Sequence, residues 1–420
     1  MGIMKASKAV VLLVALTMGV QPVIWAQSDA ALMKRIDDLE QTVAMLKQEL
    51  MSRKAASGAQ AVSAAAEESA LTRFVKDVEL HGFVDTSYTF NANTPSSRTN
   101  SFRIFDTEAN SFMLNLAELS VEKSVSMDSP LGFRVDLAFG DDAEVFGSSG
   151  LGAGTDEFDL WQAYAQVMLP FSYPWLYEVD FKIGKFATLI GAEVIESKDN
   201  WNFSRSFLFG YAIPFNHTGV RMHAQPFEEH ALDFTVGVVN GWDNVNDNNK
   251  GKSVEGQIAY APMDILTFYV NGIIGPEMDD NSGDYRGVID FILAYDVTDR
   301  LSLMANYDLG FEQDGAGEGK NAQWDGVAGY VKYSIFDWWS IAGRGEWFHD
   351  RDGVRTGVST DGFPDVNFWE FTVTNEFKIY ENLLFRVEFR HDGADEAVFA
   401  KDSGTAKYQN TVSGEVIVYF

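Results

Sequence analysis

The chain has 420 residues, contains no cysteine and carries a formal net charge of −29 at pH 7. The lack of cysteine excludes disulfide scaffolds, thiolate nucleophiles, Cys-ligated zinc and covalently attached c-type haem. Such an acidic balance argues against nucleic-acid binding, which requires a basic surface. Aromatic residues make up 14% of the chain, so it has enough large apolar side chains to bury a core and is not disordered.

The N-terminal segment, residues 1–26, has the pattern of an export signal. Lys5 and Lys8 precede an apolar run over 9–20, which is too short to span a bilayer. Ala26 offers a cleavage site after this run. A buried N-terminal helix is the alternative. We expect a signal peptide and an exported protein.

A heptad pattern follows within residues 27–54. Apolar residues recur at alternating spacings of four and three, which is typical of a coiled-coil seam. They are Leu32, Ile36, Leu39, Val43, Leu46 and Leu50. β-branched residues at the a positions with leucine at d favour a parallel dimer, and an amphipathic helix packed on its own domain is the alternative. The next segment, 55–75, is rich in alanine and serine and reads as a flexible linker.

From residue 76 to the end of the chain, the hydrophobic period changes to two, the period of a pleated strand. In 133–140 and 383–390, for example, apolar residues alternate with charged or small ones. The pattern predicts sixteen strands, mostly of about ten residues. They lie near 77–90, 112–125, 131–140, 158–169, 177–186, 217–225, 232–239, 252–261, 265–274, 286–296, 301–311, 323–333, 339–348, 367–378, 383–391 and 408–420.

The connections between these strands alternate between short and long. Tight turns are predicted at 126–130, 262–264, 298–300 and 380–382. Long polar links are predicted at 91–110, 141–157, 187–216, 240–251, 275–285, 312–321, 350–366 and 392–407. An even strand count with this asymmetry predicts an all-β fold, a 16-stranded antiparallel transmembrane β-barrel over 76–420. A soluble sandwich would have shorter strands.

Aromatic residues support a membrane-spanning barrel, because many cluster around the short turns, where one interfacial girdle would lie. They are Tyr173, Trp175, Tyr177, Phe336, Trp338, Trp339 and Tyr380. Trp161 and Trp369 are predicted to belong to the opposite girdle. A general preference of aromatic residues for strands would not place them at the turn ends.

The chain resembles Gram-negative outer-membrane porins. Its last strand, VSGEVIVYF (412–420), ends on Tyr419 and Phe420, similar to the C-terminal signal by which the barrel-assembly machinery recognises its clients. More narrowly, several segments resemble the OmpL-like β-barrel porin family. They are NSFMLNLAEL (110–119), GFRVDL (132–137), IGKFAT (183–188), NFSR (202–205) and HTGVR (217–221).

This resemblance implies a location in the cell outer membrane, with the coiled coil in the periplasm. The implied partners are outer-membrane lipid, the barrel-assembly machinery and small hydrophilic solutes or ions. Classical porins are trimers, whereas the heptad pattern favours a dimer, so the expected homo-oligomer has two alternatives.

The lumen of a sixteen-stranded barrel is too wide for side chains to fill and therefore holds water. The alternation predicts a set of charged side chains on its inner face. They are His81, Asp85, Arg134, Asp136, Arg221, His223, Arg344, Glu346, Arg386, Glu388 and Arg390. The alternative is that these charges only solvate the wall and pair across neighbouring strands.

The longest link, 187–216, is the candidate constriction loop, because classical porins fold their third outer loop into the lumen. Its charged residues are Glu193, Glu196, Lys198, Asp199 and Arg205. Acidic loop groups opposite basic wall groups would set up a field that selects ions. Acidic outer segments such as 243–249 and 277–284 would concentrate cations at the mouth. The segment 279–284 lacks the spacing of a calcium loop, and no metal or cofactor is expected.

The function predicted from the sequence is passive diffusion of small hydrophilic solutes or ions. An enzyme is not expected, since none of the six histidines lies in a recognisable catalytic motif. The alternative is a non-conducting barrel that acts as a scaffold or sheath for a partner, such as an electron-conduit cytochrome, or as an envelope tether.

Overall fold

The computed structural model describes residues 77–148, 158–173, 176–227, 231–317 and 319–420, together with four helical positions, Gln41, Met45, Lys47 and Gln48. The predicted signal peptide, the linker and the rest of the predicted coiled coil lie outside the described residues. The chain divides into the units Met1–Thr72 and Arg73–Phe420, and the second unit is the barrel.

Sixteen strands of the second unit form one closed antiparallel barrel, which confirms the predicted fold class. Each strand pairs with its neighbours along the chain, and the first pairs with the last. The barrel strands are β1 (Glu79–Asn91), β2 (Ser111–Lys123), β3 (Leu131–Phe139), β4 (Phe158–Met168), β5 (Glu178–Ala187), β6 (Asn216–Gln225), β7 (Leu232–Val239), β8 (Ser253–Met263), β9 (Leu266–Met278), β10 (Asn281–Thr298), β11 (Leu301–Gly317), β12 (Lys320–Phe336), β13 (Trp339–Asp350), β14 (Val366–Tyr380), β15 (Leu383–Ala394) and β18 (Tyr408–Tyr419). A small hairpin, β16 (Phe399–Lys401) with β17 (Gly404–Ala406), lies between the last two.

The two faces of the wall differ as the alternation predicts. On β15, Phe385, Val387 and Phe389 are 36%, 38% and 43% exposed, whereas Arg386 and Arg390 are 1% exposed. Apolar side chains therefore face outward and charged ones face the interior, which is the pattern of a barrel surrounded by lipid. Among the described residues, no helix is both long and apolar enough to cross a bilayer.

Two predicted links are strand extensions instead of open loops. β9 and β10 are joined at a tight turn around Asp279 and Asp280, where Asp280 has a φ of 58°. Likewise, β11 continues to Gly317, and β12 begins at Lys320. Polar residues line both faces of these outer ends, so the apolar alternation that marks a strand stops before the strand does.

The aromatic girdle at the short turns is visible as a set of outward, exposed rings. They include Tyr173, Phe336, Trp338 and Tyr380, while Trp175 lies outside the described residues. Trp369 is also exposed, as a girdle residue should be. The prediction for Trp161 was wrong, because this residue is 1% exposed inside the barrel. A register shift between β3 and β4 inserts it as an extra residue, which interrupts the alternation.

The apolar core lies inside the barrel, where connecting segments pack against the inner wall. These segments carry α1 (Asp141–Phe146), a short 3₁₀ turn at Ser197–Asp199, a π turn at Leu208–Ala212 and a 3₁₀ turn at Val358–Asp361. Phe105, Phe207 and Phe209 of the loops pack in one cluster with Trp324 and Phe368 of the wall. Burial of these rings fixes the loops inside the barrel.

Candidate functional site

The connection between β5 and β6, residues 188–215, is hereafter the inner loop. It is rich in apolar residues, and Ile195, Phe207 and Leu208 are almost fully buried. Its backbone and side chains hydrogen-bond to inward residues of β10 to β18. The loop therefore lies inside the barrel against one side of the wall.

Two glutamates of the wall hold the inner loop through its backbone. Glu346 on β13 accepts N–H groups of 207–208 at 2.7 and 2.6 Å. Glu388 on β15 accepts N–H groups of 203–204 at 2.7 and 3.0 Å. Because each carboxylate takes a pair of adjacent N–H donors, these charge-assisted bonds fix both the position and the direction of the loop.

Arg344 connects the wall to an acidic side chain of the inner loop. Its guanidinium donates to Glu193 of the loop at 2.6 Å and to Glu370 of β14 at 2.8 Å. It also donates to the carbonyl of Ser204 at 2.5 Å. All three charged groups are buried, so each depends on the others for compensation.

Arg386 on β15 binds the inner loop at and just after its 3₁₀ turn. It donates to the carbonyls of Ser197 and Asn200, both at 2.8 Å. The same guanidinium pairs with Glu376 at 2.6 Å and with Glu415 at 3.2 Å. Its charge is therefore neutralised within the wall while its remaining donors position the loop.

Arg390 and Arg205 form a third connection. Arg390 donates to the carbonyl of Arg205 at 2.5 Å and to Asp392 at 2.6 Å. Arg205 turns back into its own loop and donates to the carbonyls of Phe203, at 2.6 Å, and Ile195. Arg205 thus organises the loop internally and does not face open solvent.

A second connection, residues 351–365 between β13 and β14, crosses to the inner loop and is hereafter the outer strap. Its Arg355 donates to the carbonyl of Tyr211 at 2.6 Å. The guanidinium carbon also lies 5.2 Å from the ring centre of Trp242 and 4.8 Å from that of Trp324. Burial lowers the pKa of Arg355 to about 10. Trp324 donates to the carbonyl of Ala212 at 3.1 Å. Arg355 and Trp324 therefore bind two adjacent carbonyl groups of the inner loop.

The opposite side of the lumen, along β3 to β8, is less filled. Its inward side chains include partly exposed Arg134 and His223. A cavity of about 240 Å³, hereafter the lumen cavity, lies there beside the inner loop. It is lined by Gln166, Asp180, Lys182, Leu189, Arg221, His223, Thr235 and Gln257. The inner loop therefore divides the barrel into a packed side and a polar side with free volume.

The predicted inner-face residues on the polar side form local pairs. Arg221 places two guanidinium nitrogens on Glu255 at 2.8 and 2.9 Å. His223 lies 3.0 Å from Asp180. Outside the polar side, His81 on β1 near the short-turn end is exposed and 3.2 Å from Glu79, which is also exposed. Most of these charges are thus already compensated.

Asp136 and Asp85 are both buried, but their surroundings differ. Asp136 accepts from Arg134 at 2.8 Å and from Gln162 at 2.7 Å. Within the described part of the chain, neither carboxylate oxygen of Asp85 has a hydrogen-bond partner. A buried carboxylate without well-aligned donors is costly, and the amide of Asn115 is a polar group beside it.

The remaining predicted loop residues occupy the middle of the inner loop. Glu196 accepts the indole N–H of Trp161 at 2.9 Å, and the Trp161 ring also packs against Phe146 of α1 at 4.6 Å between ring centres. Lys198 and Asp199 pair with each other at 2.6 Å and stay partly exposed. Their hydrogen bonds and ion pairs go to Trp161 and to each other, whereas the arginines of the packed wall bind the loop's backbone and Glu193.

Several residues that hold the inner loop were not predicted. Asp290 accepts the N–H of Gly191 at 3.2 Å, and Thr374 accepts from Asn202 at 2.7 Å. Both belong to the polar face of strands, so the alternation contained their signal. Arg355 lies in a link without periodicity, and no pattern in the sequence points to it.

Comparison with known proteins gives the same architecture. Three solved outer-membrane proteins are similar in fold: the channel DcaP of Acinetobacter baumannii, the trimer form of OmpT of Vibrio cholerae and an anion-selective porin of Comamonas acidovorans. Their TM-scores are 0.53, 0.52 and 0.52, and their sequence identities are 12%, 11% and 11%. Each match covers 82% of this chain and 97%, 99% and 99% of the other. No curated protein matches the sequence.

A family model described as "Putative beta-barrel porin-2, OmpL-like" matches residues 77–420, which is the whole barrel. This agrees with the closed sixteen-stranded topology, the outward apolar face and the inner loop. The protein is therefore an outer-membrane porin, and the chain belongs to the OmpL-like β-barrel porin-2 family.

Proposed function

We propose that the barrel lets small hydrophilic solutes or ions diffuse passively across the outer membrane along the polar side of the lumen. The observation that carries this proposal is the asymmetric lumen. The inner loop is fixed to β10 to β18 by buried charges, whereas β3 to β8 keep partly exposed polar side chains beside a cavity. A loop held on one side narrows a pore without having to move for passage.

The same asymmetry disfavours a barrel that sheathes a partner protein. Phe207, Phe209 and the buried arginines fill the interior next to β12 to β15. A partner inside the lumen would have to displace these apolar and charge-paired contacts, each of which is costly to break. The scaffold alternative therefore requires a second arrangement of the loop.

The proposal extends to assembly. The N-terminal helices would associate in the periplasm. The last strand, with Tyr419 and Phe420, would direct insertion by the barrel-assembly machinery. Lipid would surround the apolar outer face. A homo-oligomer is supported by the trimer form of the OmpT structure. The heptad pattern instead favours a dimer, so cross-linking of the membrane-inserted protein, counted by mass, tests the stoichiometry.

Single-channel recording in a planar bilayer tests the proposed function. The refolded chain should give stable stepwise openings in potassium chloride, and the reversal potential under a salt gradient reports which ion passes more easily. A barrel that inserts, as judged by protection of its strands from protease, but never conducts would overturn the proposal.

A further inference from the structure

The lumen cavity contains several charged side chains, but not all of them are free to bind a solute. Two of its charged groups are compensated inside the wall. Asp180 accepts from Gln166 at 2.7 Å and lies 3.0 Å from His223. Arg221 is bound by both oxygens of Glu255. Neither Asp180 nor Arg221 therefore offers a full charge to a visiting solute.

Lys182 is different from these groups. It lies on β5 between Gln166 on β4 and Arg221 on β6 in the strand register. Its ammonium nitrogen is 4.8 Å from the ring centre of Tyr164. Among the described residues, no ion pair within 4.0 Å neutralises this ammonium group, and Asp180 and Glu122 act on it only from a greater distance. The cavity wall thus contains one cation whose charge is available to a solute.

The uncharged side chains of the cavity determine which other chemical groups an anionic solute should carry. The side-chain amide nitrogens of Gln166 and Gln257 already donate to Asp180 and to Asn271, at 2.7 and 2.8 Å. Their amide oxygens are the ends left to act as acceptors, and a solute hydroxyl can donate to such oxygens. Leu189 of the inner loop supplies an apolar contact.

We propose that the lumen cavity is a binding site for small hydroxylated carboxylates, with the solute carboxylate on Lys182 and its hydroxyls on Gln166 and Gln257. The volume of about 240 Å³ is below the ~300–1,000 Å³ of sites for larger ligands, so the solute is small. The inference rests on the proposed function, because it names the solute class that the polar side of the lumen prefers.

Three six-carbon sugar derivatives test the charge requirement: the open-chain acid D-gluconate, neutral D-glucose and cationic D-glucosamine. Saturation-transfer NMR on the detergent-solubilised full chain measures binding without requiring conduction. Gluconate should bind, and glucose and glucosamine should bind at least about tenfold more weakly, since a charge-assisted hydrogen bond contributes about 1.5–3 kcal/mol. Equal signals from the three sugars would overturn the inference.

Lys182→Gln is the decisive variant and Lys332→Gln is its control. Lys332 is another partly exposed lysine of the barrel, but it pairs with Glu376 at 3.1 Å. Lys182→Gln should weaken gluconate binding about tenfold and leave glucose unchanged, whereas Lys332→Gln should change neither. Unchanged gluconate binding in Lys182→Gln would exclude Lys182 as the anchor.

Conduction separates the two proposals. If the barrel conducts but gluconate neither binds nor interrupts the potassium chloride current more than glucose does, the inference fails and the porin function stands. If gluconate binds through Lys182 while no current is seen, the inference stands and passive diffusion fails.

Discussion

Arg344 on β13 donates a hydrogen bond to Glu193 of the inner loop over 2.6 Å, although the two residues are 151 positions apart in the chain. Both side chains are buried, and Glu370 completes the group from the neighbouring strand at 2.8 Å. The position of the loop in the lumen is thus determined by charges that the wall and the loop supply together.

Replacement of Arg344 by methionine should therefore strongly destabilise the folded barrel. Glu193 and Glu370 would lose the guanidinium that they share, and an uncompensated buried charge costs ~3–5 kcal/mol. Urea unfolding in detergent, followed by tryptophan fluorescence, measures the loss. Lys198→Met removes a cation from a partly exposed pair in the same loop and should cost less than ~1 kcal/mol. Equal losses in the two variants would contradict this assignment.

The outer strap should loosen when Arg355 is replaced by lysine. Lysine keeps the charge but loses the flat guanidinium between Trp242 and Trp324 and its N–H to the Tyr211 carbonyl. A buried cation–π contact contributes up to ~2 kcal/mol, so protease cleavage within 351–365 should become faster, with noisier single-channel currents.

Arg351→Lys is the matched control for the strap. Arg351 lies in the same connection, but it is half-exposed and pairs with Asp325 at 2.6 Å. Its replacement should leave the cleavage rate of the strap within about twofold of the unmodified protein, since exposed pairs contribute little. Faster cleavage in both variants would contradict a specific role for the contact of Arg355 with the two tryptophans.

Asp142 in α1 should make stability depend on pH. Burial raises the pKa of Asp142 well above its ordinary value, and neighbouring Asp106 and Asp141 add to the effect, although Arg205 opposes it. Because the pKa is raised, the folded state favours the protonated carboxyl of Asp142. Its contribution to stability is therefore complete below the ordinary carboxyl pKa of about 4 and is lost as the pH rises above that value. Asp142→Asn should therefore be more stable than the unmodified protein at pH 7, by ~1–3 kcal/mol.

Urea midpoints at pH 7 and pH 3.5 check this sign. The advantage of Asp142→Asn should disappear at pH 3.5, where the native carboxyl is already protonated. Asp141→Asn, at the half-exposed preceding residue, should show a much smaller difference between the two pH values. An advantage of Asp142→Asn that persists at pH 3.5 would assign the effect to packing.

Closure of the barrel should be sensitive to Gly82. Its backbone exchanges two hydrogen bonds with Phe420, at 3.2 and 2.9 Å. A methyl group at this position would lie 2.7 Å from the Phe420 ring and 2.9 Å from the Glu118 carbonyl oxygen. Gly82→Ala should cost ~1–3 kcal/mol through overpacking.

Heat-modifiable migration on denaturing gels measures the folded fraction of such variants. Gly414→Ala is the control on the same seam, because a methyl group there meets no atom within 4 Å. It should fold as well as the unmodified protein, within about 0.5 kcal/mol. If both alanines reduce the folded fraction equally, glycine flexibility and not contact with Phe420 explains the requirement.

The strands could be predicted because lipid outside and polar groups inside impose a strict alternation, as between Phe385 and Arg386. The alternation placed Arg344 and Glu388 on the inner face, but it cannot tell whether water or a loop covers that face. One signal of coverage was present, since Phe203, Phe207 and Phe209 would not suit a solvated loop. Trp161 was misplaced because a register shift is not visible in a period-two pattern.

The partners of the inner loop have a consequence for the order of assembly. The loop occupies 188–215, yet its ligands span the chain from Asp290 to Glu415. Most wall residues that hold it are therefore synthesised and exported later than the loop itself, although Trp161 of β4, which donates to Glu196, precedes it. Contacts of such long sequence separation form late and slowly. The loop's phenylalanines can therefore be fully buried only once the final strand is present, so that seating of the inner loop and pairing of β1 with β18 are coupled.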